Sequence, residues 1–390
     1  MRWLAALGLV ALLAGCGSAP RHAVSTPTVT APQPPPENVS VPWPTFGADV
    51  GRTRAVTAPG LRPPFRRLWT FHGHALLEFP PVAGYGLLFE ESFDGRIHAI
   101  DPATGAEKWS YYSRRCGWSS PALGHGLVFA TFVGDARCSP IPDGGEIVAL
   151  DAQTGKVRWR RAIDKSESSP VVAHGTVYFG DTNGRVYALD AATGAERWSY
   201  DTGAPVKASP SLGDGRLFVG NYAGTFYALD AATGKLLWQS GGHGNFYSSP
   251  SVSNGRVYVG SLDNRVYAFS ARSGRVLWSF ATGGYVYASP AVWRDIVLVG
   301  SYDNTFYAIN GATGTMRWDF HADGAITGCA SVIDGVVYFS AERVHKTYVL
   351  GASGGHLIAK WPDGEYSPAV AAGGRLYFVG LGRIYALAPR

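Results

Sequence analysis

The residue types that most often do chemistry are thinly spread along this chain, and few recur at spacings that would bring them together. Asp201-Thr202-Gly203 has the form of an acid-protease triplet. The equivalent loop further along the chain reads Ala281-Thr282-Gly283, so the aspartate belongs to a turn. His72-Gly73-His74 offers two imidazoles without a third ligand, short of what a metal centre needs. No Gly-x-x-x-x-Gly-Lys-Ser/Thr phosphate loop, Gly-x-Ser-x-Gly elbow or Cys-x-x-Cys-His segment occurs. No catalytic residue, no metal ligand and no enzymatic activity are therefore expected.

One set of side chains stands apart. Glu78, Trp118, Glu167, Lys207, Tyr247, Tyr287, Thr327 and Glu365 each lie shortly before a segment that starts a strand, most of them separated by the same interval. They vary between polar and aromatic types where the neighbouring residues are monotonous. If the elements close into a circle, these positions form a ring at the mouth of a central channel. Aromatic faces there suit a planar or sugar-like ligand, with charged groups to orient it. Three carboxylates spread around such a ring make a poor cation cage.

The elements that would position this ring come from a repeat. Ser209-Pro210, Arg216-Leu217-Phe218-Val219-Gly220, Phe226-Tyr227-Ala228-Leu229-Asp230, Thr233-Gly234 and Trp238 recur as Ser249-Pro250 through Trp278 and as Ser289-Pro290 through Trp318. Self-similarity at such a period means an array of supersecondary units. Each unit holds four strand-like runs. Asp94-Gly95, Asn183-Gly184, Asp263-Asn264 and Asp303-Asn304 separate the second run from the third, as two-residue hairpins demand. Thr-Gly turns separate the third from the fourth, and Asp101, Asp151, Asp190 and Asp230 are placed to cap them. Four antiparallel strands per unit is a propeller blade, so the fold expected is all-β.

Third-strand runs occur at 98–101, 148–151, 187–190, 227–230, 267–270, 307–310, 348–351 and 385–388, which gives an eight-bladed β-propeller. The last run has no tryptophan strand after it, and Arg67-Leu68-Trp69-Thr70-Phe71 has no blade before it. Closure by the N-terminal strand, as the outer strand of the eighth blade, resolves both. Trp69, Trp109, Trp159, Trp198, Trp238, Trp278, Trp318 and Trp361 are expected to dock blade on blade, with Ala99, Ala149, Ala188, Ala228, Ala268 and Ala308 leaving room for a neighbour's ring.

The remaining features concern compartment and partners. Arg2 precedes an apolar run from Leu4 to Leu13, too short to span a bilayer and suited to a signal peptide. Leu13-Ala14-Gly15-Cys16 resembles the lipobox of bacterial lipoproteins, which implies lipidation at Cys16. Residues 1–15 are thus read as signal, 16–44 as a lipidated, Pro-rich tether and 45–390 as the propeller. In an exported chain disulfides persist. Cys116 and Cys138 flank the one long insertion, around Val133–Gly145, and are paired here, with Cys329 left as a buried free thiol. The net charge of +5 is scattered, without a basic run, so no nucleic-acid partner is expected.

Tyr258 to Trp278 follows a pattern that resembles the repeat of pyrroloquinoline-quinone dehydrogenases, and Trp43-Pro44-Thr45-Phe46-Gly47 is similar to the lead-in of such propellers. Those enzymes add an adjacent cysteine pair and a calcium site, and this chain has no adjacent cysteines. A signal, lipobox, tether and bare blades together resemble the BamB-like outer membrane protein assembly factors. That resemblance implies a scaffold binding envelope proteins through propeller loops. The lipid on Cys16 would hold it at the outer membrane facing the periplasm, or at the outer face of the plasma membrane of a single-membrane cell. No cofactor is expected. The alternatives are a quinone-dependent dehydrogenase, with pyrroloquinoline quinone bound, and a surface ligand-sensing propeller.

Overall fold

The computed structural model describes residues 43–135, 137, 143–364, 366 and 369–390; Cys16, Cys138 and Glu365 lie outside them. Every regular element described is a β-strand, and the strands form eight sheets in sequence order. Blade 4 is representative: Ser211–Gly213, Arg216–Gly220, Phe226–Asp230 and Leu236–Ser240 pair antiparallel in that order. The short first strands of neighbouring blades contact one another around the axis, so they are innermost. The second and third strands are covered on both faces by adjacent blades, which is why they read as near-continuous apolar runs. The turn chemistry holds: Asn264 and Asn304 take φ of 67° and 69°, and Gly234 takes 73°. The Asp230 carboxylate accepts from the backbone N–H of Ala232 and Thr233, as Asp190 does from Ala192 and Thr193.

Closure comes from the N-terminal strand. Phe65–His72 pairs antiparallel with Arg383–Pro389, with Trp69 opposite Ala386, and so supplies the outer strand that the last blade lacks. Its tryptophan then meets blade 1. Trp69 Nε1 donates to Pro102 O at 3.1 Å, and a Cβ added at Gly105 would come within 2.7 Å of its ring. The same pairing joins Trp109 to Ala152 and Gly155, Trp159 to Ala191 and Gly194, Trp198 to Ala231 and Gly234, Trp238 to Ala271 and Gly274, Trp278 to Gly311 and Gly314, and Trp318 to Ala352 and Gly355. The glycine of the Thr-Gly turn therefore makes the room for the neighbour's indole. The third-strand alanine instead lies opposite its own blade's tryptophan, as Ala188 does opposite Trp198. Trp361 packs on Phe378 and Tyr385, because blade 8 is completed by the N-terminal strand and has no Thr-Gly turn.

A thread from Trp43 to Val56 runs across the inner strands. Trp43 bridges to Ala83, and Pro44, Val50, Gly51, Thr53 and Arg54 carbonyls accept from Leu123, Leu212, Val252, Val292 and Val332 in turn. Thr45 Oγ1 donates to Pro170 O of blade 3, and Ala55–Val56 adds a parallel strand beside Ser331–Ile333. The thread thus visits blades 1 to 7 in order and closes one end of the axis.

Candidate binding site at the channel mouth

The channel narrows at a belt of serines that precede the first strands. The backbone N–H of Ser120, Ser169, Ser209 and Ser249 donates to the hydroxyl of Ser169, Ser209, Ser249 and Ser289 of the next blade, at 2.9–3.0 Å. Ser289 continues the belt to the buried free thiol of Cys329, and Cys329 N–H to Tyr366 O. Below the belt the thread inserts two buried guanidiniums. Arg52 donates to Phe46, Pro210, Ser169 and Pro170 carbonyls, and Arg54 to Arg52 O, Pro290 O and Ser251 Oγ. Burial, and for Arg52 the neighbouring charge of Arg54, lowers both from the usual guanidinium range. Phe46 packs under Arg54, 4.6 Å from ring centre to guanidinium carbon.

Above the belt sit the residues expected to form a ring. Glu167, Lys207, Tyr247 and Tyr287 line one cavity, with Phe46 as floor and Phe79 and Tyr366 beside them. Lys207 Nζ lies 3.0 Å from Glu167 Oε1, and Tyr247 meets Tyr287 edge to face at 5.6 Å. Thr327 is buried and donates to Glu342 at 3.1 Å. Trp118 turns aside onto Phe93 and under the Arg137 guanidinium. Glu78 acts electrostatically on Tyr247 and Tyr366, and Glu365 lies outside the described residues. The ring is therefore brought together in an arc over blades 3 to 6.

A second arc escaped sequence reading. Thr182, Tyr222, Tyr302 and Glu342 follow the second strands, spaced at the period of the repeat or a multiple of it, and Tyr222, Tyr302 and Glu342 contact the first arc. Tyr222 lies 6.2 Å from Tyr247 and under Lys207, and Tyr302 lies 6.1 Å from Tyr287. That regular spacing was a readable signal, hidden because hairpin turns vary in every fold. Burial, then Glu167 and Tyr287, pushes the Tyr222 phenol up to about 12. Burial, then Glu167, raises Tyr247 too, so the mouth presents neutral phenols.

The space left between these rings is about 30 Å³. That holds a water molecule or two, against several hundred Å³ for a drug-sized ligand. Elsewhere, Ser92 Oγ, His98 and Glu107 stand in nucleophile–base–acid order at 3.2 and 2.5 Å. Ser92 and His98 are wholly buried and occupy the positions of Asn221 and Tyr227 in blade 4, so the would-be nucleophile and base sit in the blade core and only Glu107 reaches the surface. His72 and His74 are exposed, and no group of three metal-ligating side chains occurs among the described residues.

Comparison with known proteins agrees with this architecture. Outer membrane protein assembly factor BamB of Burkholderia pseudomallei is 31% identical over 126 residues, 30% of this chain and 32% of that protein. The serine/threonine-protein kinase AfsK of Streptomyces coelicolor is 33% identical over 177 residues, 44% of this chain and 20% of the kinase. The chain thus spans a third or less of the curated relatives it matches. The crystal structure of BamB from Moraxella catarrhalis superposes with a TM-score of 0.70 at 18% identity, covering 83% of this chain and 99% of that one. The quinohemoprotein alcohol dehydrogenase of Comamonas testosteroni superposes at 0.73 and 14% identity, over 88% and 80%. Both likenesses speak to fold alone. The family model described as outer membrane protein assembly factor BamB matches residues 93–211 and 182–389, most of the propeller, and the chain belongs to that family.

Proposed function

We propose that this protein is a non-catalytic, lipid-anchored propeller whose loop-lined channel mouth docks another protein of the cell envelope, in β-barrel assembly where the cell has an outer membrane. One observation carries the reading. The two mouth arcs vary in residue type from blade to blade, while the serine belt and tryptophan docks beneath them repeat almost unchanged. Variable, amphipathic side chains on a rigid frame suit a protein interface, where tyrosine and tryptophan supply contact area at low entropic cost. Family membership supports the envelope role.

The quinone-dependent reading fits the site poorly. A quinone cofactor would have to displace Phe79, Tyr366 and the tyrosine arc from a mouth that leaves about 30 Å³. The cysteines are dispersed, at 116, 138 and 329 in the propeller, so they cannot form an adjacent pair. The sensing reading has one observation in its favour, the match to a part of the kinase AfsK. Lipidation at Cys16 and the Cys116–Cys138 bond belong to this proposal. Cys116 is buried on a short strand beside the insertion.

Photo-crosslinking from position 285 in living cells, followed by mass identification of the captured protein, tests it. Barrel-assembly subunits support the scaffold, and a kinase or transporter transfers support to the sensor. Turnover of an alcohol or sugar with added quinone overturns the non-catalytic reading. Release of a Cys16→Ser variant from membranes is expected, and its retention would remove the anchor.

A further inference from the structure

Lys207 shows how this mouth holds a cation. Its ammonium stands 3.0 Å from the Glu167 carboxylate and 5.3 Å from the centre of the Tyr222 ring. A charged partner and an aromatic face together replace the water that the ammonium gives up. Two blades further round, Tyr285, Tyr287 and Tyr302 repeat the aromatic half of this arrangement on a larger scale. Their ring centres lie 6.1 Å, 6.1 Å and 6.5 Å apart, at interplanar angles of 88°, 55° and 51°. The described cation–ring contacts place no lysine or arginine over these three rings.

Two of the three face outward. Tyr285 is 49% exposed and Tyr302 40% exposed, among the most exposed large hydrophobic side chains of the protein. Glu342 lies close enough to Tyr287 to act on its phenol. Glu78, Glu167 and Glu342 act on the phenols around the mouth; Glu167 is engaged by Lys207 and Arg137, whereas Glu342 stands on the side of Tyr287. Tyrosine faces carry negative potential and the carboxylates add to it, so an anionic or neutral partner gains little here.

We infer that Tyr285, Tyr287 and Tyr302 form a cage for a cation, and that its occupant is an arginine or lysine side chain on a loop of the docked protein. The inference rests on the protein-docking reading of the mouth and names the chemistry of the partner at one point. The partner's cation plays toward this cluster the part that Lys207 plays toward Tyr222. Arginine suits it better than lysine, because a planar guanidinium stacks on one ring while its edge reaches a carboxylate.

The test uses the full chain with isotope-labelled tyrosine rings, titrated with N-acetyl-arginine methylamide and with its neutral citrulline twin. Tyr285→Phe, Tyr287→Phe and Tyr302→Phe each delete one resonance and so assign the cluster. The arginine probe is expected to shift all three and to saturate in the millimolar range, with the citrulline probe at least ten-fold weaker. Phenylalanine keeps the π face, so the Phe variants should bind within about three-fold. The double variant Tyr285→Leu/Tyr302→Leu should bind ten-fold more weakly at an unchanged melting temperature. Equal response to the two probes overturns the cage, as does unchanged binding in the leucine variant. Shifts produced by an N-acetylglucosamine oligomer but not by arginine overturn it in favour of a sugar. If the leucine variant still captures the cellular partner from a crosslinker at another mouth position while arginine fails to bind, only the cage falls. Failure of capture in the parent removes the docking reading itself.

Discussion

Glu90 is the residue whose replacement tests the physics of this fold most sharply. It lies on the second strand of blade 1, wholly buried, and neither carboxyl oxygen has a hydrogen-bond partner. By strand register its position in other blades is held by Phe179, Val219, Val259 and Val299. Burial first, and then the charge of neighbouring Glu91, raises its pKa well above the usual carboxylate value. The folded chain therefore holds a proton there that the unfolded chain has released. Stability is fully present below the unfolded pKa and is lost as pH rises toward the folded one, by about 1.4 kcal/mol per pH unit for one group. Two oxygens without partners add a desolvation cost of about 1–3 kcal/mol. Glu90→Val should thus stabilise the protein at neutral pH by more than the desolvation cost of about 1–3 kcal/mol alone. Glu90→Gln should remove the titration while leaving the unpaired polar atoms. Denaturant melts of the three proteins between pH 4 and pH 8 decide it, with the parent losing stability across that range faster than either variant. A valine variant no more stable than the parent at neutral pH would refute the reasoning, because it would mean that the carboxyl is solvated or paired.

Other outcomes follow from the closure, the belt and the insertion. Trp69→Ala removes the indole that joins blade 8 to blade 1 and should cost about 3–5 kcal/mol, read as a lower and broader thermal transition; an unchanged transition would count against closure as a source of cooperativity. Gly234→Ala drives a methyl to within about 2.6 Å of the Trp198 ring at a φ of 73° and should lower the melting temperature, whereas Gly215→Ala, with open space around it, should cost less. Arg54→Met keeps the packing on Phe46 and removes two unpartnered nitrogens, but it also strips Arg52 O, Pro290 O and Ser251 Oγ of a donor, so a loss of about 1–3 kcal/mol is expected in denaturant melts, and unchanged stability would show that the cost of burying the charge offsets those bonds. A bond between Cys116 and Cys138 closes a loop of about 22 residues, worth roughly 3 kcal/mol on the chain-entropy model; peptide mapping without reduction should find both cysteines in one linked pair, and two free thiols would refute it.

The seam around Glu91 shows why some features escape sequence reading. Several other blades carry glycine at this position, packed against Val206, Phe246, Val286 or Ile326 of the next connection. In blade 1 the sizes are exchanged: Glu91 is the large member and Gly117 the small one, with Ser119 donating to the carboxylate at 3.1 Å. Neither residue is unusual alone. Their complementarity appears only when strand and connection are packed together.

What the sequence determined by itself was everything that repeats or that must be counted. Alternating apolar runs, positive-φ turn residues and one tryptophan per repeat are local signals. A tryptophan strand without a blade at one end, and a blade without one at the other, force closure by the N-terminal strand. Tertiary structure alone decided where the thread goes, which residue receives each indole and how full the mouth is. The thread lies ahead of the first repeat, so no periodic pattern announces its burial, and nothing local sets Arg52 and Arg54 apart from other arginines. Their carbonyl partners, from Ser169 to Pro290, lie far away in sequence. Those carbonyls converge on the axis only after the blades have closed into a circle, so no local pattern could have shown that two guanidiniums would be buried among them.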